Sequence, residues 1–484
     1  MDNLQGLESV LTTPSPFGQT NRTMPDSIYT QANVLLGVLL LLICSRSPLA
    51  QDMAWFTDAA GATPFKQPLR MDDATTDRFI LGRSFFSVPW VEAPSATTAR
   101  DGLGPHFNAN ACSSCHKDNG SANTLDAEGQ PTRALVFKLT QPDGHAQRLN
   151  LNDRGTPFHG NLPDPVYGTQ IGINGNGKVK PEARTRLHTE SVLFRYPDRQ
   201  QMTLSRFHPY LTQLAYGPLN GNTVISLRQP PALAGLGLIE QVPDSGILAW
   251  ADAQDANGDG ISGRPNWLDR PGTPARRLGR FNWKASEASI YGQVANAAAH
   301  DIGLTNPLYP EEQCQAAQSD CRSAPRGRDT PQGSLDLPEF RLRAIAAYVA
   351  EHKAPQPIRL DARARQGRKL FIQIGCTACH RRNLTTGSGL AFHPYTDLLL
   401  HDMGSGLADG RPEFSADGRE FRTAPLWGMG ARLRAGERFL HDARAADSEQ
   451  AILWHAGEAE MAQQAFIQLN QGQRASLLHF LEQL

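Results

Sequence analysis

Cys112-Ser-Ser-Cys-His116 recurs later in the chain as Cys376-Thr-Ala-Cys-His380. The pattern C-x-x-C-H is typical of covalent attachment sites for c-type haem. Its two thiols form thioethers with the porphyrin, and the adjacent histidine is the proximal ligand of the iron. The spacing suits this chemistry because one helical turn holds both sulfur atoms at one edge of the ring.

A zinc site or a redox dithiol is the alternative interpretation of each cysteine pair. Zinc is disfavoured because about 260 residues separate the two pairs, whereas the pairs of a structural zinc site lie close together. We therefore predict two covalently bound haems. The predicted attachment residues are Cys112, Cys115, His116, Cys376, Cys379 and His380.

Length and charge restrict the class of protein. A chain of 484 residues exceeds the usual size of one domain, so two or more domains are expected. The 47 Lys and Arg residues nearly balance the 48 Asp and Glu residues. This balance gives no reason to expect nucleic acid or an anionic membrane surface as a partner.

The apolar run Val34–Cys44 indicates export. Its eleven residues are fewer than the ~20 that a membrane helix needs, but they fit the core of a secretory signal. Pro48-Leu-Ala50 offers a cleavage point, so residues 1–50 are predicted to be a signal peptide and leader. We expect a periplasmic protein without a stable membrane span after signal removal. In that oxidising compartment Cys314 and Cys321 are predicted to form a disulfide.

An internal repeat predicts the domain organisation. Gly82–Phe86 before the first haem motif matches Gly367–Phe371 before the second, and Arg228–Gly235 matches Arg422–Gly428. Each half closes with an amphipathic helical pattern. We predict a mainly α fold with two tandem cytochrome c-like modules, at residues 70–352 and 358–484. The first carries a long insertion of loops and short strands, and Lys353–Pro357 is the linker.

The segment Asp255–Ile261 resembles the front half of a calcium loop. Asp255, Asn257 and Asp259 place oxygen side chains at alternate positions, with a glycine at the sixth position. The twelfth position is Asn266 rather than glutamate, so an acidic surface turn is the alternative. We predict possible calcium ligation by these three side chains and by the Ile261 carbonyl.

With these stretches assembled, the chain resembles the dihaem oxidoreductases of the domain-of-unknown-function type, labelled peroxidases or thiol oxidoreductases. The resemblance covers about residues 70–484. More distantly, the chain is similar to bacterial dihaem cytochrome c peroxidases and to MauG-type enzymes. The stretches that carry the resemblance are Pro94–Gly104, Gly258–Arg264, Leu400–Gly404, Gly410–Phe414 and Ile452–Glu458.

The distant resemblance implies roles for residues near the first haem. Trp283 matches a tryptophan between the haems, Gln293 follows ten residues later, and Asp301 falls at the position of an acidic group. Cleavage of a peroxide needs such a group to move a proton between the two oxygen atoms. His300 is the competing candidate for the acid, or for an axial ligand. Core packing is the alternative for Trp283.

At the second haem, the resemblance places the sixth iron ligand at His455. Met403 is the alternative, since a thioether ligand would raise the reduction potential. His441 is expected to pack or to form hydrogen bonds at the interface between modules.

These assignments predict a peroxidase-like oxidoreductase. A peroxide would be reduced at the first haem with electrons relayed through the second from a small cytochrome or copper protein. One alternative is an electron-transfer cytochrome in which both haems are six-coordinate. Another is a MauG-like enzyme that oxidatively modifies a partner protein.

Overall fold

Residues 55–57, 64–142, 160–269, 275–327, 334–355 and 359–484 are described by a computed structural model. All of them belong to one compact unit, residues 52–484. The predicted signal peptide and leader, with Val34–Cys44, lie outside the described residues. We refer to residues 64–355 as the first half and to residues 359–484 as the second half.

Helices in the described ranges are mostly short. They are α1 (Asp73–Ser87), α2 (Leu236–Glu240), α3 (Asp244–Leu248), α4 (Ile290–Ala297), α5 (Ser319–Arg322), α6 (Glu339–Ala350), α7 (Ala362–Gln373), α8 (Gly404–Leu407), α9 (Met429–Arg434), α10 (Ser448–Leu453), α11 (Glu460–Gln468) and α12 (Gln471–Glu482). A π-helical turn, Ala298–Ile302, continues α4. Among these helices none has the length and apolar character needed to cross a membrane.

The strands pair in twos, and every pair is antiparallel. They are β1 (His106–Phe107) with β3 (Asn174–Gly175), β2 (Val136–Thr140) with β6 (Val224–Arg228), β4 (Arg184–Arg195) with β5 (Gln201–Thr212), β7 (Trp267–Leu268) with β8 (Arg277–Leu278), β9 (Leu384–Thr385) with β10 (Ala391–Phe392), and β11 (Leu400–Asp402) with β12 (Glu420–Arg422).

The prediction of a mainly α fold is wrong. Of the described residues, helices account for 30% and strands for 19%, so the class is mixed. Much of the strand content lies in the insertion of the first half, where β4 and β5 form a hairpin of twelve residues on each side. This hairpin forms because its inward side chains, such as Leu187 and Phe207, are buried in a separate apolar cluster with β2 and β6.

Each haem motif follows a helix that crosses the closing helix of its half. Helix α1 packs on α6, and α7 packs on α12. The side chains of Asp72 and Asp361 cap the first helices of these pairs by accepting hydrogen bonds from Thr75 and Ala364 backbone N–H groups.

A glycine lies at the closest point of each crossing. A Cβ atom at Gly82 would overlap the backbone oxygen of Ala344, and one at Gly367 would overlap that of Ser476. The repeated glycine thus permits the same close approach of two helix backbones in both halves.

The two halves also exchange backbone hydrogen bonds. The Gln229 N–H donates to the carbonyl of His441, and the Arg422 N–H donates to the carbonyl of Trp283, each at 2.8 Å. The larger apolar cluster joins first-half residues such as Leu342 to Leu398 of the second half. The predicted linker lies partly outside the described residues, so the module boundary stays a prediction.

Replacing Gly82 or Gly367 by alanine is expected to lower the free energy of unfolding by ~1–3 kcal/mol, because two helix backbones must move apart. The matched control is Gly472→Ala in α12, where the nearest atom to a new Cβ is 3.5 Å away. That substitution is expected to stabilise the helix by up to ~1 kcal/mol. Denaturant unfolding measures both, and equal effects at crossing and control positions would contradict this account.

Candidate haem-binding and reaction site

Both C-x-x-C-H motifs fold as the short turns that the chemistry requires. Cys112–Ser114 and Cys376–Ala378 are 3₁₀-helical turns. The backbone N–H groups of His116 and His380 donate to the carbonyls of Cys112 and Cys376, at 2.9 and 3.0 Å. Neither cysteine of either motif is joined in a disulfide. The ring of Phe86 faces His116 and that of Phe371 faces His380, each with centroids 6.3 Å apart.

A large cavity brings together the predicted residues of the first site. Its empty volume is about 1180 Å³, counted with the part that opens to solvent. The walls contain Cys112, Cys115 and His116 of the first motif. They also contain Trp283, Gln293, His300 and Asp301. A second, more apolar cavity shares Cys112, His116, Trp283 and Gln293 with the first.

The residues present fit a haem in this position. Within the described chain, the buried Gln293 Oε1 has no hydrogen-bond partner. Burial lowers the pKa of His116, which favours the neutral imidazole that iron ligation requires. The apolar cavity is lined by Phe86, Leu236 and Ile345. This lining matches the hydrophobic faces of a porphyrin.

Asp301 is held in place by a residue of the insertion. The side-chain amide of Gln170 donates to Asp301 Oδ1 at 2.8 Å, and lies at hydrogen-bond distance from Asn108 Oδ1 and the His300 carbonyl. The carbonyl of Asp301 accepts from the backbone N–H groups of Asn108 and Ala109. Hydrogen bonds therefore hold both the side chain and the backbone of Asp301 in place. Sequence reasoning gave no role to Gln170.

Several charged residues of the cavity wall also escaped sequence reasoning. Lys138 of β2, Arg228 of β6, and Arg411 and Glu413 of the second half line the same cavity. Burial lowers the pKa of Lys138 to about 8, although the Asp301 carboxylate opposes this. One signal in the sequence pointed to Lys138, since it is the one charged residue in the strand VFKLT. Arg411 and Glu413 lie in a stretch that carries the family resemblance.

The arginines of this wall are paired. Arg228 forms an ion pair with Asp409 at 2.6 Å, and Arg411 pairs with Glu413 at 3.0 Å. Lys284 is fully buried and also pairs with Asp409, at 3.3 Å. Lys138 differs, because no ion pair within 4.0 Å joins it to an acidic group in the described chain.

At the second motif, two histidines are oriented alike. The Nδ1–H of His380 donates to the Tyr395 carbonyl at 3.0 Å, and that of His455 donates to the Ala451 carbonyl at 2.7 Å. In both rings Nε2 then carries the lone pair that could bind iron. Burial lowers the pKa of His380 to about 4, and nearby His455 contributes to the shift. Burial also lowers the pKa of His455, so both imidazoles are neutral near pH 7.

The alternative ligand Met403 has a different environment. It is half-buried and packs against the apolar cluster of the second half. His401, two residues earlier, lies between Asp397 at 2.9 Å and Glu458 at 2.6 Å. Although burial opposes it, these carboxylates hold the pKa of His401 well above its usual value. An imidazolium thus lies 3.6 Å from the sulfur of Cys379.

Trp283 and His441 lie at the junction of the halves. The indole N–H of Trp283 donates to the Gln229 carbonyl at 2.8 Å, while its ring lines both cavities. His441 is buried and stacks on Phe421 with centroids 4.1 Å apart. Burial lowers the pKa of His441 to about 3. The neutral ring packs at the junction.

The remaining predicted sites lie away from the cavity residues. Cys314 and Cys321 are joined by a disulfide. In the exposed loop, Asp255 accepts from the Gly260 N–H at 3.1 Å and Asn257 accepts from the Asp259 N–H at 2.8 Å. The Asp259 carboxylate accepts from the Ile261 N–H at 2.9 Å. These bonds shape the loop, and calcium binding stays a prediction.

Comparisons with known proteins assign the chain to a family. No curated protein is similar enough to match the chain. A chain of hydrazine synthase from Kuenenia stuttgartiensis matches with 15% identity over 49% of this chain and 86% of that chain, but with a TM-score of only 0.25. The family described as "Di-haem oxidoreductase, putative peroxidase" matches residues 218–484. The chain therefore belongs to the di-haem oxidoreductase family.

Proposed function

We propose that this protein is an exported c-type dihaem enzyme that reduces a peroxide at the first haem. Two electrons and two protons convert one hydrogen peroxide to two waters, and a small redox protein supplies the electrons one at a time through the second haem. One observation carries the proposal: a single cavity contains the first motif, Trp283, Gln293 and Asp301. Haem iron, when bound there, supplies the coordination site and the electron transfer for O–O cleavage.

The protein's own part is proton transfer and orientation. Asp301 is held by Gln170, so its carboxylate is fixed before a substrate enters. In this position the carboxyl group accepts a proton from one peroxide oxygen and returns it to the other. Gln293, whose buried Oε1 has no partner in the described chain, accepts a hydrogen bond from the bound peroxide. Lys138 adds a cation to the same wall.

The second site is proposed to transfer electrons. His380 and His455 present equivalent ring nitrogens, which would leave the iron between them without an open position. Trp283 lies at the junction, where its carbonyl bonds to the second half and its ring lines the first cavity. It is therefore placed on the proposed electron path.

A second candidate function is electron transfer with both haems six-coordinate. One observation favours it: the Nδ1–H of His300 donates to the Asn296 carbonyl at 2.8 Å, as that of His455 does to Ala451. The Nε2 atom of His300 would then be able to ligate the first iron. The two functions differ in the spin state of the ferric first haem, which is high-spin only if an axial position is open.

Replacing Asp301 by Asn is expected to lower peroxide turnover by roughly 10²–10⁴-fold, the usual contribution of a general acid–base group. The ferric spectrum should stay high-spin at the first haem because no ligand is lost. The matched control is Glu92→Gln, which removes an exposed carboxylate of the same half. Unchanged turnover in the Asp301 variant would remove this residue from the mechanism. If both haems are low-spin and neither responds to peroxide, in the oxidised or the half-reduced protein, the result would instead support the electron-transfer cytochrome.

Replacing His455 by Ala is expected to convert the second haem from low-spin to high-spin without loss of covalent haem. Electron paramagnetic resonance measures the spin state, and the haem content is read from the mass of the intact protein. His208→Ala, at an exposed histidine of the β4–β5 hairpin, is the control. A persistent low-spin signal that disappears only in Met403→Leu would identify the thioether as the ligand.

We predict that anion binding in the first cavity depends on pH through the charge of Lys138. Its pKa of about 8 means that the ammonium ion is present below that pH and is lost above it. Raising the pH through about 8 should weaken azide binding at the first haem by ~1 kcal/mol, roughly fivefold. The charges facing Lys138 are those of Asp301, Arg411, Glu413 and Arg228.

In Lys138→Met this step near pH 8 should be absent, and azide affinity should stay at its high-pH value. Lys178→Met, at an exposed lysine of the same insertion, should keep the step. Spectrophotometric titration with azide at several pH values measures the affinity. A step that persists in the Lys138 variant would assign the titration to another group.

A further inference from the structure

The charge of the chain is unevenly distributed around the second haem motif. Residues 362–396 contain six Arg and Lys residues and no Asp or Glu, although the whole chain has a formal net charge of −1. This stretch begins at α7, includes Cys376–His380, and ends just before Asp397. Its cations are Arg363, Arg365, Arg368, Lys369, Arg381 and Arg382.

Part of this charge forms one continuous surface. Arg365, Lys369 and Ile372 follow the i, i+4, i+7 spacing of one helix face, and all three are exposed. Ile372 has 55% of its surface exposed. Burial raises the pKa of the Tyr395 hydroxyl, and the nearby Arg382 and Arg368 cations oppose this rise. We call Arg365, Arg368, Lys369, Ile372 and Arg382 the basic face.

The basic face adjoins the proximal side of the second haem motif. The carbonyl of Tyr395 accepts the Nδ1–H of His380 at 3.0 Å. Its ring lies against Phe371, with centroids 6.2 Å apart. Only one residue thus separates the Arg382 guanidinium from the predicted iron ligand.

The cations of this face are not neutralised within the described chain. None of its four basic side chains forms an ion pair with an acidic side chain there. By contrast, Arg343 of α6 pairs with Glu339 at 2.6 Å. Arg365 donates instead to the Leu360 carbonyl. An unpaired basic surface with an apolar residue inside it has the composition of a docking site, where charge orients the partner and apolar contact excludes water.

The equivalent surface of the first half lacks this character. Alignment of Gly82 with Gly367 places Ile80 at the position of Arg365 and Ser84 at that of Lys369. Ile80 is 49% exposed, and α1 also contains two acidic residues, Asp73 and Asp77. In this helix only Arg368 has a basic counterpart, Arg83, so most of the basic face is a property of the second half and not of the repeated fold.

We propose that the basic face is the docking site for a small one-electron donor protein whose own contact surface is acidic. The inference rests on the proposed entry of electrons at the second haem, and it adds the charge of the partner and the residues that meet it. In each encounter the donor loses one electron and the second haem gains one. Opposite charges steer such encounters and raise their rate by 10–10³-fold at low ionic strength.

Stopped-flow reduction of the second haem tests this proposal with two probes of opposite charge. The first is a reduced plastocyanin with an acidic contact face, and the second is a reduced mitochondrial-type cytochrome c with a basic one. The rate with plastocyanin should fall at least about tenfold between about 10 and 300 mM ionic strength, as the Debye length shortens. At low salt, reduction by cytochrome c should be slower than reduction by plastocyanin. Calorimetric binding of oxidised plastocyanin gives a readout without electron transfer.

The double charge reversal Arg365→Glu with Lys369→Glu should lower the plastocyanin rate and affinity about tenfold at low salt. Arg365→Gln with Lys369→Gln should give a smaller loss and reports on the same face with less risk to folding. The matched control is Arg78→Glu with Arg83→Glu, at exposed positions of α1 in the first half. The control should leave both measurements within about twofold of the unmodified protein.

The outcomes separate the two proposals. Equal rates in the basic-face and control variants, or faster reduction by the basic cytochrome, would overturn the docking site and leave the relay intact. Reduction of the first haem before the second by plastocyanin would overturn the relay itself. Binding of a polyanion such as heparin with the same charge dependence, but no binding of plastocyanin, would also overturn the proposal and assign the face to a non-protein partner.

Discussion

Each half of this protein depends on a helix crossing so close that its centre admits no side chain. Gly82 meets the backbone of Ala344, and Gly367 meets that of Ser476. The crossings fix the helix that precedes each C-x-x-C-H motif. This helix places Phe86 beside His116 in the first half and Phe371 beside His380 in the second. The position of each imidazole therefore depends on a backbone contact elsewhere in its half.

Three parts of the chain that are distant in sequence together form the first cavity. The haem motif and the π-helical turn with Asp301 come from the first half, Lys138 and Gln170 from its insertion, and Arg411 from the second half. The insertion is thus more than a covering of loops, since it fixes the carboxylate proposed to move protons. This arrangement also explains why no isolated segment would contain a complete reaction site.

The two halves share a local plan but present different surroundings to their motifs. The first has a polar, charged cavity, whereas the second has two equivalent histidines and the imidazolium of His401. Their outer surfaces differ as well, since exposed Ile80 of α1 corresponds to Arg365 of α7. A duplicated plan with different side chains is consistent with a division between chemistry at one haem and electron entry at the other.

The sequence alone determined the features that depend on interactions between residues close together in the chain. Two C-x-x-C-H spacings predicted the turns at Cys112 and Cys376, and apolar periodicity predicted helices at α6 and α12, because hydrogen bonds and side-chain spacing within a few residues decide them. The mainly α class was wrong because the hairpin of β4 and β5 is stabilised by distant apolar partners. Only the tertiary structure decided that Gln170 bonds to Asp301 and that Lys138 and Arg411 line the same cavity as Asp301. Long-range packing, rather than local propensity, brings such residues together.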